Sequence, residues 1–104
     1  MWMLRALGVE PDEALTFRLL PGHVKTAGRS SRSDFVIDAP LVSRLHCRFT
    51  VSADGVVEVQ DLDSTNGTWV NGERVQRAAL AEGAVLAIGR AELMLERDGP
   101  PRQS

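Results

Sequence analysis

A single cysteine, Cys47, excludes an intrachain disulfide and a cysteine-rich zinc site. Two histidines, His23 and His46, are too few for a histidine-dominated metal cage. There is no excess of positive charge: 12 basic residues face 14 acidic ones, a formal net charge of -2. That balance argues against a general nucleic-acid binder. No apolar run approaches the roughly 20 residues needed to span a bilayer. The opening Met1-Trp2-Met3-Leu4 is interrupted by Arg5 and followed by Glu10, Asp12 and Glu13, which is not the form of a secretory signal. On these absences the expected location is the cytoplasm. A Gly-rich nucleotide loop followed by lysine and a His-Arg-Asp segment are both missing, so the chain carries no kinase.

What remains is 104 residues, 43% hydrophobic and 25% charged, enough for one domain with its own core. This composition excludes a wholly disordered chain, a coiled coil and a collagen-like fibre. The dominant hydrophobic period is two. It runs through Leu15, Phe17 and Leu19; Phe35 and Ile37; Leu45, Cys47, Phe49 and Val51; Val57 and Val59; Leu86 and Ile88; Leu93 and Leu95. Such alternation sets one face of each strand on a core and the other in water. Pro21-Gly22, Asp54-Gly55, Asn71-Gly72 and Glu82-Gly83 supply turns between the runs. The pattern predicts an all-β antiparallel sandwich or barrel. Arg77–Ala81 has helical propensity but is too short to stand alone. Residues 1–98 are expected to form the single domain, and 99–104 a flexible tail. Trp2, Phe17, Phe35, Phe49 and Cys47 read as core, and Trp69 as core or rim.

Three segments break the alternation: Gly28–Asp34, Val42–His46 and Asp61–Thr68. Each falls between strands, and binding residues favour loops on a rigid scaffold. From Lys25 to Arg48 five cations, Lys25, Arg29, Arg32, Arg44 and Arg48, meet only Asp34 and Asp38. Guanidinium groups with serine and threonine hydroxyls suit a phosphate. Asn66 both donates and accepts, which suits a peptide backbone.

Ser43 and His46 also raise the reading of a nucleophile and its base. No Gly-x-Ser-x-Gly elbow surrounds Ser43, and no third orienting residue is evident. Asp61 and Asp63 resemble paired carboxylates, but are expected to face solvent or brace their loop. Ser31 and Arg32 either wrap a ligand or stay in solvent.

Gly28-Arg29-Ser30, then Ser43-Arg44-Leu45-His46, then Ser64-Thr65-Asn66-Gly67-Thr68 with Asn71-Gly72, resemble the signature of the forkhead-associated (FHA) domain family. The likeness spans Met3 to Arg97. It implies a β-sandwich of about eleven short strands that binds phosphothreonine peptides through loops at one end. The resemblance makes Arg29, Ser43, Arg44, Thr65 and Asn66 the phosphopeptide contacts, with Ser31 and Arg32 as further candidates. Gly28, His46, Gly67 and Asn71 would support the loops. The expected partner is a protein phosphorylated on threonine by a Ser/Thr kinase. No catalysis, cofactor, metal, nucleic acid, membrane or small-molecule substrate is expected. The alternative is a phosphorylation-independent interaction scaffold that uses the faces of the sandwich. The opening methionine and the loose tail favour a free-standing adaptor over a fragment of a longer protein.

Overall fold

A computed structural model of the chain describes residues 1–7 and 16–97. Leu15, at the head of one predicted alternation, and the tail 99–104 lie outside the described residues. Eleven strands follow in order: β1 (Trp2–Ala6), β2 (Thr16–Leu19), β3 (Val24–Gly28), β4 (Phe35–Val36), β5 (Cys47–Val51), β6 (Val57–Asp61), β7 (Thr68–Val70), β8 (Glu73–Val75), β9 (Arg77–Leu80), β10 (Val85–Ile88) and β11 (Ala91–Arg97). One sheet has the order β2-β1-β11-β10-β7-β8 and the other β4-β3-β5-β6-β9.

Among the described residues all pairings are antiparallel but one. β4 lies parallel to β3, with Ala27 opposite Phe35 and Gly28 opposite Val36. Parallel neighbours ordinarily need a crossover of a dozen or more residues. Here only two rungs form, so the short loop after Gly28 suffices to bring the chain back beside its own strand.

The alternating residues fill the space between the sheets. Leu4, Leu19, Phe49, Val51, Val57, Val59, Leu86, Ile88, Leu93 and Leu95 are buried there. Each large apolar side chain contributes about 1.5–3 kcal/mol by leaving water. Phe17 stacks on Phe35 with ring centroids 4.6 Å apart, and Phe35 tilts against Phe49 at 6.1 Å. Cys47 is fully enclosed, and burial pushes its thiol up to about 12, so it behaves as a small core residue.

One weak signal is resolved and one sequence expectation changes. Arg77–Leu80, helical by propensity, is an edge strand paired with Val57–Gln60 of β6. Pairing with a sheet edge overrides the weak local preference of four residues. Leu45, expected on the core face, is about half exposed, whereas His46 and Cys47 are both buried. β5 begins only at Cys47, so the period of two does not reach back through the loop.

The loops divide between two ends. Segments 29–34, 37–46 and 62–67 gather where β5 begins and β6 ends. The turn 52–56 closes the β5–β6 hairpin at the opposite end, where the Trp2 indole donates to the Gly55 carbonyl at 2.7 Å.

Candidate functional site

The site starts from a residue with no side chain. A Cβ on Gly28 would stand 2.1 Å from the Arg44 carbonyl oxygen, so only glycine lets segment 43–45 lie against the end of β3. The close approach permits two main-chain bonds: Arg29 N–H to Ser43 O at 2.9 Å and Ser30 N–H to Arg44 O at 3.1 Å. The Ser33 hydroxyl adds a third bond to Arg44 O. The arginine of the first loop is thereby fixed beside the serine of the second.

His46 joins the second loop to the third. Its Nδ1 accepts the Ser43 backbone N–H at 3.1 Å, and its Nε2 lies 2.8 Å from the Gly67 carbonyl. The acceptor role of Nδ1 assigns a neutral ring with its proton on Nε2, donated to Gly67. The ring is fully buried. Both nitrogens are engaged by main chain, and neither faces Ser43 Oγ. That oxygen instead accepts the Thr65 N–H at 3.2 Å. The nucleophile-and-base arrangement therefore does not form.

The third loop is braced from below. Asp61, buried at the end of β6, accepts from Ser64 N–H and Ser64 Oγ–H and, at 2.7 Å, from Thr68 Oγ–H. Burial pushes this carboxyl up, but the Ser64 and Thr68 hydrogen bonds outweigh it and hold it below the usual range. Of the two carboxylates flagged in the sequence, Asp61 is the brace and Asp63 is exposed. A depressed folded value contributes stability above the unfolded carboxylate range, near pH 4, and that stability is lost as pH falls through the folded value. Acid titration of stability should therefore drop more steeply below about pH 4 in the wild type than in Asp61→Asn. Parallel curves in urea melts across that window would remove Asp61 as the brace.

Arg29, Ser43, Thr65 and Asn66 line one open cleft of about 500 Å³, together with the segment from Asp38 to Val42. Arg29 Nε donates to Val42 O at 3.2 Å, which sets the side chain along the wall and leaves its terminal N–H groups without a partner among the described residues. Asn66 Nδ2 donates to Leu41 O at 3.0 Å, leaving its Oδ1 and a second N–H for a ligand. Ser43 accepts from Thr65 and so keeps its own proton to donate. Arg44 lies across Arg29, in an adjoining hollow of about 340 Å³ shared with Ser30.

Other sequence candidates lie elsewhere. Ser31 and Arg32 are exposed and line neither hollow; the Arg32 N–H is turned back onto Ser30 Oγ. Lys25 and Arg48 run along β3 and β5, where Arg48 donates to Gln60. Asn71 closes the β7–β8 hairpin with Gly72, both at positive φ, and its Oδ1 accepts the Val85 N–H at 2.9 Å.

Asp38, Pro40 and Leu41 line the cleft without having been singled out in the sequence. Leu41 adopts φ +68°, a region that bulky residues rarely enter, at a cost of about 1–3 kcal/mol. It is held there by Asn66 and by the bare Cα of Gly89, where a Cβ would stand 2.5 Å from the Leu41 carbonyl carbon. A leucine carries no local signal for that conformation. Gly89 follows Ile88 at a strand end and was the one available hint.

Comparison with known proteins places this arrangement. The FHA domain family model matches residues 25–89. An ABC transporter ATP-binding/permease protein of Mycobacterium tuberculosis is 44% identical over 80 residues, covering 77% of this chain and 9% of that one. The glycogen accumulation regulator GarA of Mycolicibacterium smegmatis is 41% identical over 76 residues, covering 73% of this chain and 48% of that one. The chain thus spans about half, or far less, of the length of these curated relatives. Among solved structures, one from a structural and functional analysis of phosphothreonine-dependent FHA domain interactions superposes with a TM-score of 0.82. It is 29% identical, covering 95% of this chain and 98% of that one. With two sheets in this order and a family match over more than half its length, the chain belongs to the FHA domain family.

Proposed function

We propose that this domain binds a protein segment phosphorylated on threonine, and that the cleft between the three loops is the binding site. The observation that carries this reading is the convergence of Arg29, Ser43, Thr65 and Asn66 on one cleft, with donors left over after the fold's own bonds are counted. The Arg29 guanidinium and the Ser43 hydroxyl meet the phosphate. The Thr65 hydroxyl stands beside them, and Asn66 holds the peptide main chain. Arg44 approaches from the adjoining hollow. The relative studied for phosphothreonine-dependent interactions supports the same ligand class. A Ser/Thr kinase would supply the ligand.

A bound phosphate with about -1.5 to -2 charges makes the affinity electrostatic. Each charge-assisted hydrogen bond is worth about 1.5–3 kcal/mol, so Arg29→Ala should weaken binding by about 10- to 150-fold. Fluorescence anisotropy with matched phosphothreonine, phosphoserine and unphosphorylated peptides checks this. Affinity should also fall with added salt, and below about pH 6 as the phosphate takes up a proton. Equal binding of phosphorylated and unphosphorylated peptides would overturn the reading and direct attention to the faces of the sandwich.

A further inference from the structure

One cation beside the cleft is unaccounted for. Arg74 sits on β8, the edge strand of the six-stranded sheet, and its side chain lies across Gly67 in the third loop. The space that a Gly67 Cβ would take is closed by Arg74 Nε at 2.5 Å, Cζ at 2.9 Å and Cδ at 3.1 Å. Gly67 itself is at φ +87°, so a bare Cα and a left-handed turn together make the bed for the guanidinium.

The β7–β8 register explains why Arg74 reaches this place. Trp69 is directly opposite Arg74, so both side chains leave the same face, and Gly67 is the diagonal neighbour two residues back. Trp69 is partly exposed, and its indole N–H donates to the Asn66 carbonyl at 3.1 Å. Asn66 is therefore tied to Leu41 through its side chain and to Trp69, the cross-strand partner of Arg74, through its carbonyl. Among the described residues Arg74 has no ion-pair or hydrogen-bond partner. Glu73, its neighbour in sequence, points to the other face of the strand.

Resting on the phosphopeptide reading above, we propose that Arg74 binds an acidic side chain of the ligand, next to the stretch of main chain that Asn66 holds. A guanidinium lying over Gly67 with no partner of its own among the described residues offers its planar fork to a carboxylate. The domain then selects phosphothreonine segments that carry Asp or Glu at one fixed distance from the phosphate.

Peptides that share a phosphothreonine and differ by Glu or Gln at one flanking position at a time test this. The readout is the ratio of Kd values, Gln over Glu, so a general loss of affinity does not enter it. Wild type should prefer Glu by about 2- to 5-fold at one position, the range for an exposed ion pair, and less at high salt. Arg74→Gln should bring the ratio to one, and Arg74→Glu should bring it below one at that position. A ratio of one at every position in the wild type, or an unchanged ratio in Arg74→Gln, overturns the assignment while phosphothreonine binding stands. If the wild type does not bind these phosphothreonine peptides at all, both readings fall.

Discussion

Alanine in place of His46 is expected to lower the thermal midpoint by at least about 12 °C and to weaken phosphopeptide binding with it. The ring bridges Ser43 N–H and Gly67 O inside the protein, with no exposure to water. Truncation leaves the half-buried Ser43 N–H and the buried Gly67 carbonyl unpaired, at about 1–3 kcal/mol each. It also opens a cavity beneath two loops. With the cavity the loss is at least about 3 kcal/mol, and a domain of this size loses about 4–8 °C per kcal/mol. His46→Gln can return either a donor to the Gly67 carbonyl or an acceptor to the Ser43 N–H and should recover part of the loss. Differential scanning calorimetry beside peptide titration separates the two effects. A shift under about 4 °C would mean that the loops hold themselves in place without the imidazole.

The second large effect belongs to Gly28→Ala. One methyl group would stand 2.1 Å from Arg44 O, 2.7 Å from Arg44 C and 3.0 Å from Leu45 Cα, all of them main-chain atoms. Gly67 provides a contrast, because the obstacle there is the flexible Arg74 side chain. Main chain cannot step aside without giving up the Arg29–Ser43 and Ser30–Arg44 bonds. Overpacking of this kind costs about 1–3 kcal/mol, and here the displaced segment carries Ser43. The expected result is a moderate loss of stability and a severe loss of affinity. Hydrogen exchange gives the check: the Arg29 and Ser30 amides should exchange faster, while those of β5 and β6 keep their protection. Unchanged exchange at Arg29 and Ser30 would show that segment 43–45 accommodates the methyl group.

Much of the scaffold is legible in the residue pattern, because Phe49, Val51, Val57, Val59, Leu93 and Leu95 repeat with a period of two and end at turn residues. β3 escapes that reading. Its buried positions are Ala27 and Gly28, small residues that give no hydrophobic signal, while Val24 faces water. β9 escapes it because Arg77-Ala78-Ala79-Leu80 is helical by composition and becomes a strand only through pairing with β6. The principal cleft residues are legible because each sits in a short contiguous motif. Arg74 is invisible in the same way that the left-handed Leu41 is. Its place depends on which residue faces it across a hairpin, which is decided by register and not by its immediate neighbours.

The pairing of β1 with β11 has a mechanical meaning. Trp2 faces Arg97 across that pair, and the Trp2 indole is fastened to Gly55 at the end remote from the cleft. Arg97 also lies 4.8 Å over the Trp2 ring, which latches the two strands together at that point. A load applied between Trp2 and Arg97 would therefore not shear the sheet. It would peel β1 from β11 one rung at a time, starting at the latch, because antiparallel strands pulled from the same end part like a zipper. A tether at either residue leaves the opposite pole, with Arg29 and Ser43, facing outward. The domain can hang from an anchor at one pole and leave the cleft at the other open.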